Sequence, residues 1–221
     1  MPKAKKQLRD PNKTKMRILA AATAEFSRMG LGGARVDVIA TRANVQKRMM
    51  YHYFGNKETL YRIVLEEAYA KFRAAEAELE IENDPPMQAL RRLMEFTWNY
   101  YLENPEFISL VSTENLHKAK YLKKSPRLEL LNKGFVKRME HLLARGARDG
   151  VFRSELDAVQ VLIALAGLGY HYLTNQHTGE IVYGRSLMTD EARKARLSFN
   201  IDLITHAFCR PEALLAIKEA A

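Results

Sequence analysis

Apolar residues recur along the chain mostly at intervals of three and four, which places them on one face of a helix. The first such stripe runs from Ile18 to Met29 and ends at Gly30. We expect its helix to begin at Asn12 or Thr14, because both are favoured N-caps. No useful length of alternating apolar and polar residues is found. The pattern therefore predicts an all-α protein of roughly nine or ten helices.

Two short helices follow the first stripe. Apolar spacing predicts one helix over 36–43 and another over 46–53, joined by a turn at Asn44 and Val45. After a break at 55–57, Asn56 is placed to cap a long helix over 57–79. Two short helices joined by a turn and supported by a third match a helix-turn-helix.

The rest of the chain is divided by proline and glycine, the strongest local breakers of helices. The clearest break is Asp84-Pro85-Pro86, and a further break is predicted at 178–184, where 179–185 is ambiguous between strand and loop. The predicted helices cover 87–102, 105–116, 126–148, 157–175 and 189–208, with a short one after Pro211.

Positive charge is concentrated at the N-terminus. Residues 1–57 hold 13 Lys and Arg residues against three acids, so this quarter carries +10, whereas the whole chain carries +9. Residues 1–10 have no apolar period and are expected to form a flexible basic arm, which by itself would serve only solubility. The charges within the following helices instead favour a polyanion partner.

The second short helix carries the residues that suit DNA. Its inward positions are taken by apolar side chains such as Met50 and Phe54. Amide and cationic side chains suit base edges or phosphates, hydroxyl and imidazole groups suit the backbone, and Lys57 adds a cation at a helix N-terminus. The outward residues are Gln46, Lys47, Arg48, Met49, Tyr51 and His52.

Three groups of residues, in order and at family spacing, resemble the DNA-binding domain of the TetR family of transcriptional regulators over 14–60. A looser similarity, at 104–106 and 114–117, is to the effector domain of one TetR subgroup. The groups are Ile18, Leu19, Ala21, Ala22, Phe26 and Gly30; Val36, Ile39, Ala40, Ala43 and Val45; and Met50, Tyr51, His52, Tyr53, Phe54, Lys57, Glu58 and Leu60.

The resemblance implies roles for individual residues. Gln46, Lys47 and Arg48 would enter the major groove, and Arg35 or Val36 would start the helix that crosses the DNA backbone. The phosphate contacts would be Tyr51, His52, Tyr53 and Lys57.

The chain departs from the family pattern at three positions. Asn44 replaces a common Gly, which is benign because Asn tolerates the left-handed conformation. Gln46 replaces a common Ser or Thr cap, and Arg48 replaces a common Gly. Arg48 is equally suited to a guanine edge and to a phosphate, so an operator sequence is not carried over from relatives.

Other function classes find little support in the sequence. Cys209 is the only cysteine, and the spacing of His171 and His177 does not suit a metal site. We find no catalytic constellation and expect neither catalytic residue, metal nor cofactor. Without a secretory or membrane-spanning apolar run, we expect a cytoplasmic protein with no membrane partner.

The apolar helix over 157–175 must be buried on two sides. TetR-like proteins usually pair this helix and the last long one in a four-helix dimer interface, and the resemblance implies a homodimer. An ordinary core helix is the alternative. The last long helix contributes Ile201, Leu203, Ile204 and Phe208.

The C-terminal part also holds a set of apolar and aromatic residues with a few polar groups. At helical spacing such a set is an ordinary core, but the resemblance raises the alternative of a cavity for a small, mostly apolar or aromatic effector. The candidate ligand-binding residues are Met94, Trp98, Tyr101, Phe107, Glu114, His117 and Tyr170.

The sequence thus predicts a basic arm and three-helix helix-turn-helix DNA-binding domain over 1–57, then a larger helical effector-binding and dimerisation domain over 58–221, with helix 57–79 connecting them. The function predicted is a homodimeric repressor that binds a palindromic double-stranded DNA operator and is released by a small-molecule effector. The alternatives are a helical ligand-binding protein or metabolic enzyme with a basic N-terminus, and an activator or architectural DNA-binding protein.

Overall fold

A computed structural model describes residues 10–219, with side chains described as far as Leu215. The predicted arm over 1–10 lies outside this range except for Asp10. The described residues form helices, two 3₁₀ turns and one isolated antiparallel bridge between Phe152 and Cys209. None of the described helices is long and apolar enough to cross a membrane.

Eleven α-helices account for most of the described chain, somewhat more than the sequence predicts. Their bounds are α1 Pro11–Gly33, α2 Val36–Arg42, α3 Lys47–Phe54, α4 Lys57–Ala77, α5 Pro86–Glu103, α6 Pro105–Leu116, α7 Pro126–Arg148, α8 Ala158–Thr174, α9 Gln176–Tyr183, α10 Asp190–Phe208 and α11 Pro211–Glu219.

The first helix begins earlier than its apolar stripe. The predicted start at Asn12 or Thr14 is wrong, because an Asp10 carboxylate oxygen accepts from Asn12 N at 2.9 Å and Pro11 fills the first turn. Gly30, with φ of 63°, breaks the helix where the sequence predicts, and helical backbone then resumes as far as Gly33.

The chain divides into two compact units. The first comprises the described residues up to Tyr69 together with Glu106–Leu128, so that α6 and the turn after it belong with the helix-turn-helix. Leu110 of α6 is fully buried in the same core as Ile18, Phe26 and Ile39. The predicted division at residue 57 stays a prediction.

The second unit comprises Ala70–Pro105 and the described residues from Glu129 onward. Helix α5 lies at its centre, against α8 and α10. Trp98 and Leu90 of α5 are buried with Val161, Leu165 and Ile204. One side of α8 packs on this core, and part of the opposite side of α8 is exposed.

A helix replaces one predicted break. Residues 178–184 were expected to stop the chain's helical structure, but α9 covers most of them and ends at Gly184, whose φ is 64°. Gly179, the residue that suggested a break, is buried, and a Cβ there would lie 2.8 Å from Leu187 Cδ1. Gly179 therefore permits close packing within a helix and does not end one.

Candidate nucleic-acid interface

Helices α2 and α3 form the predicted helix-turn-helix. Backbone hydrogen bonds close the turn, with Asn44 N donating to Thr41 O and Val45 N to Ala40 O, both at 3.0 Å. Asn44 has φ of 52°, so the left-handed conformation predicted for it is confirmed. The predicted inward residues line the core: Val36 and Val45 are partly buried, and Ile39, Ala40, Ala43, Met50 and Phe54 are buried.

A buried carboxylate fixes the start of α2. Glu25 on α1 is 1% exposed, and its oxygens accept from Arg35 N at 3.3 Å and Arg28 Nη2 at 3.2 Å. Burial alone would raise the pKa of Glu25, but these hydrogen bonds and the charges of Arg28 and Arg42 outweigh it and lower the pKa. Sequence reasoning missed this residue, although an acid between Ala22 and Phe26 on the apolar stripe was a usable signal.

The outer face of α3 is open to solvent. Gln46, Lys47, Arg48, Tyr51 and His52 are all exposed, as the helical phase predicts. Gln46 is the N-cap residue and makes no side-chain hydrogen bond to the helix, so its amide is not engaged in capping. The exposed face of α3 thus offers an amide, two cations, a phenol and an imidazole.

Tyr53 differs from its neighbours because it is half-buried. Its ring packs edge-to-face against His52 at 5.3 Å, and Lys15 Nζ lies 5.7 Å from the ring centroid. Val36, the other predicted contact at the edge of this surface, is also half-buried and packs on the core.

An acid lies within the basic surface. Lys47 Nζ is 2.7 Å from Asp37 Oδ1, and an Arg35 guanidinium nitrogen is 3.9 Å from Asp37 Oδ2. The hydrogen bond and charge of Lys47 lower the pKa of Asp37, and the same contact raises the pKa of Lys47. Asp37 therefore holds two of the predicted DNA-contacting cations. The pairing was missed because it depends on how α2 crosses α3.

Lys57 is placed at the first turn of α4, as predicted. The expected Asn56 cap is confirmed, with Asn56 Oδ1 accepting from Thr59 N at 2.7 Å. Lys57 itself is half-buried, and its Nζ lies 3.5 Å from Gly32 O. The ammonium is therefore positioned beside a helix N-terminus, where a phosphate is favoured.

The candidate effector residues fall into two groups. Met94, Trp98 and Tyr101 are buried together on one face of α5, where a Cβ on Gly169 of α8 would lie 3.3 Å from the Tyr101 ring. Tyr170, also on α8, is half-buried.

The other three candidates belong to the first unit. Phe107 packs edge-to-face on Tyr69, and His117 is exposed, with Nδ1 2.7 Å from Thr113 O. Glu114 is buried, and its Oε1 accepts from the backbone N–H groups of Tyr121 and Leu122 at 2.8 and 2.9 Å. Its Oε2 is buried without a hydrogen-bond partner.

Two family models match the chain. The model for bacterial regulatory proteins of the tetR family matches residues 18–64, which contain the helix-turn-helix. The model for the tetracyclin repressor-like C-terminal domain matches residues 86–204, which is more than half of the chain.

Individual proteins agree with the models. The HTH-type transcriptional repressor NicS of Pseudomonas putida is 38% identical over 192 residues, which cover 87% of this chain and 91% of that protein. A putative transcriptional regulator from Streptomyces coelicolor has 25% identity and a TM-score of 0.67, covering 90% of this chain and 99% of its own.

A putative regulator from Saccharomonospora viridis, solved in complex with choline, has a TM-score of 0.68 at 18% identity, covering 90% of this chain and 99% of its own. It shares the fold. The family models and the curated relative, together with the exposed basic face of α3, lead to one conclusion. The chain belongs to the TetR family and is a DNA-binding transcriptional repressor.

Proposed function

We propose that the repressor works in the cytoplasm as a homodimer that binds a palindromic operator through α3 of each copy, and that a small-molecule effector releases it. The exposed, basic outer face of α3 carries this proposal. A two-fold dimer presents two such helices about 34–36 Å apart or slightly more, one turn of B-DNA, and its symmetry matches a palindrome.

Within this face, we assign base contacts to Gln46, Lys47 and Arg48, because amide and guanidinium groups pair with base edges in the major groove. For Arg48, the guanine edge and the phosphate remain equally suited. Phosphate contacts are assigned to Arg35, to the backbone at the start of α2 at Val36, and to Tyr51, His52, Tyr53 and Lys57.

Apolar side chains that are exposed on the second unit support the proposal of a dimer. On α8, Val159 and Ile163 are 46% and 59% exposed, and on α10, Phe199 and Leu203 are 56% and 43% exposed. Exposed apolar surface on neighbouring helices marks interaction sites. Gly167, one turn beyond Ile163, leaves open space where a Cβ would be and so permits close helix approach.

Release by an effector is proposed to act through α4, which contributes residues to both units. A ligand that favours a pose with the two α3 helices out of register would shift the population away from the DNA-bound state. We keep Met94, Trp98, Tyr101 and Tyr170, with Phe107, Glu114 and His117, as proposed ligand-binding residues. A ligand that binds free and operator-bound protein with equal affinity would contradict this mechanism.

The test is binding to the chain's own upstream DNA, measured by fluorescence anisotropy against a scrambled duplex over a range of salt. Sequence preference is expected; an enzyme with only a basic N-terminus would show salt-sensitive binding and no preference.

Variants separate the assigned roles. Lys57→Ala should weaken binding to every sequence and lower the salt slope by about one. Gln46→Ala and Arg48→Ala should relax discrimination at one or two base pairs, by roughly 1–3 kcal/mol each. Lys71→Ala, an exposed lysine on the same helix as Lys57, is the matched control and should change nothing. Uniform loss of affinity in all three test variants would refute the split between base and phosphate contacts.

A further inference from the structure

A cavity of about 390 Å³ lies between the end of α8, helix α9 and α10, entirely within the second unit. Tyr172, Tyr183, Arg185, Leu187 and Arg196 are among its lining residues. A second cavity, of about 450 Å³, shares four of these five residues, all except Tyr183. The volumes fall in the range of small-molecule sites, roughly 300–1,000 Å³.

Arg196 packs between two aromatic rings at this site, and no acid of the described residues forms an ion pair with it. Its guanidinium carbon lies 5.4 Å from the Tyr172 ring centroid and 5.3 Å from that of Phe199, and one terminal nitrogen is 3.5 Å from Leu168 O. Its Nε is buried with no hydrogen-bond partner. Burial also lowers the pKa of the guanidinium, which reflects the cost of keeping this charge desolvated.

The nearby acids are engaged elsewhere. Glu180 accepts from Ser186 Oγ at 2.9 Å and Leu187 N at 3.1 Å, and Asp190 pairs with Arg193. Within the described part of the chain, neither Arg185 nor Arg196 makes an ion pair. Two arginines thus line one cavity and neither is held in an ion pair, while Glu180, whose carboxylate accepts from Ser186 and Leu187, is close enough to act on Tyr172.

The remaining walls combine aromatic and apolar side chains with three polar ones, which are His171, Asn175 and Thr178. The Tyr172 hydroxyl donates to Leu187 O at 2.6 Å, which fixes the ring in place. Tyr183 of α9 and Leu187 continue the same wall. A planar apolar body against these side chains, with a carboxylate on the guanidinium, would satisfy both halves of the cavity, because the arginine fork matches a carboxylate bidentately.

We propose that the cavity between α8, α9 and α10 is a binding site for a small aromatic carboxylate, with Arg196 as the carboxylate ligand and Arg185 as a second cation. The site is distinct from the DNA-binding surface. It adjoins the proposed effector residue Trp98, which packs on Tyr172, and the second cavity is also lined by Phe199 of the face proposed for the dimer. Its test needs no DNA, so its failure is separable from failure of the proposed repressor function.

The chain contains a natural reporter for this site. Trp98 is its only tryptophan, and its ring centroid lies 5.5 Å from that of Tyr172. Occupancy of a cavity lined by Tyr172 should therefore change the fluorescence of Trp98, while calorimetry gives the affinity independently.

The experiment titrates the full chain with benzoate, using benzamide as the neutral analogue and acetate as the analogue without a ring. Benzoate should bind saturably. Benzamide and acetate should each bind at least about tenfold more weakly, because benzamide lacks the charge that pairs with the guanidinium and acetate lacks the ring. Arg196→Met and Arg185→Gln should each weaken benzoate binding. Lys194→Met, which removes an exposed cation on the same helix, is the matched control and should bind benzoate normally.

Three outcomes would overturn the proposal: no saturable benzoate binding, equal binding by benzamide or acetate, or unchanged binding by Arg196→Met. The exposed Arg185→Gln change keeps the test valid if Arg196→Met fails to fold. A change of oligomeric state on Arg196→Met, with benzoate binding unaltered by Arg185→Gln, would instead assign the arginine to contact with a second copy.

Discussion

Asp37 is the residue whose role differs most from its neighbours on the DNA-binding surface. It is an acid on a basic face, and it pairs with Lys47 and approaches Arg35. To contact DNA, Lys47 and Arg35 must either break their contacts with Asp37 or bind DNA while still paired with it. The acid therefore opposes the attraction of phosphate to this surface, while it orders Lys47 and Arg35, for which we propose DNA contacts.

Replacing Asp37 should strengthen non-specific binding. We expect Asp37→Asn to bind scrambled DNA about fivefold more tightly at low salt, since one nearby unit charge is removed, with a salt slope steeper by up to about one. Anisotropy titrations at several salt concentrations measure both quantities. Asp149→Asn, the same charge change at an exposed position in the second unit, is the control. Weaker binding by Asp37→Asn would show that orienting Lys47 matters more than the charge.

Glu25 supports the same surface from below, and its contribution should depend on pH. Because its folded-state pKa is lowered, the stability it contributes is present above its ordinary pKa of 4.5 and is lost as the pH falls through the folded value. Glu25→Gln should cost about 1–3 kcal/mol at neutral pH, through loss of charge-assisted hydrogen bonds to a buried group.

Urea unfolding at several pH values tests this effect. The difference between wild type and Glu25→Gln should narrow below about pH 4.5, whereas Glu140→Gln, at an exposed position, should follow the wild type throughout. A constant difference across the pH range would mean that packing, and not ionisation, explains the loss.

At the scale of helices, the sequence predicted the fold best where a proline marks the start of a helix. Helices α6 and α7 have the predicted bounds, because Pro105 and Pro126 mark their starts. Helix α8 differs from the prediction by one residue at each end, and α10 by one residue at its start. The helical period also predicted correctly which side chains of α3 are exposed. Helix α9 was missed because its glycine acts through packing against Leu187, a contact that no local pattern contains.

The side-chain pairings of the site could not be predicted from the sequence either. Glu25 meets Arg35 ten residues away, and Asp37 meets Lys47 across two crossing helices. Such contacts depend on the angle between helices, which sequence spacing does not give. For the same reason, the sequence could not show which of the candidate effector residues lie next to one another.

The exposed faces of α8 and α10 lead to a prediction about assembly. Ile163→Lys should raise the dimer dissociation constant by at least about a hundredfold, because a buried apolar hot spot is worth about 2 kcal/mol or more and a two-fold axis applies the change twice. Sedimentation equilibrium measures this. Leu130→Lys, an exposed leucine on α7, is the control and should stay dimeric. A dimer unaffected by Ile163→Lys would place the interface elsewhere.

At the scale of the whole molecule, the first unit combines a DNA-binding surface with α6, and the second holds the exposed apolar face and the cavity around Arg196. Helix α4 is common to both. The residues proposed to contact DNA therefore all lie in the first unit, whereas the proposed effector residues are divided between the two units.

The acid within the DNA-binding surface has a consequence for the protein in its cell. A genome offers on the order of 10⁶–10⁹ competing non-specific sites, and these sequester a regulator in proportion to its general affinity for DNA. Because Asp37 restrains Lys47 and Arg35, we expect it to reduce the share of molecules held on unrelated DNA. Fewer copies would then be needed to keep one operator occupied.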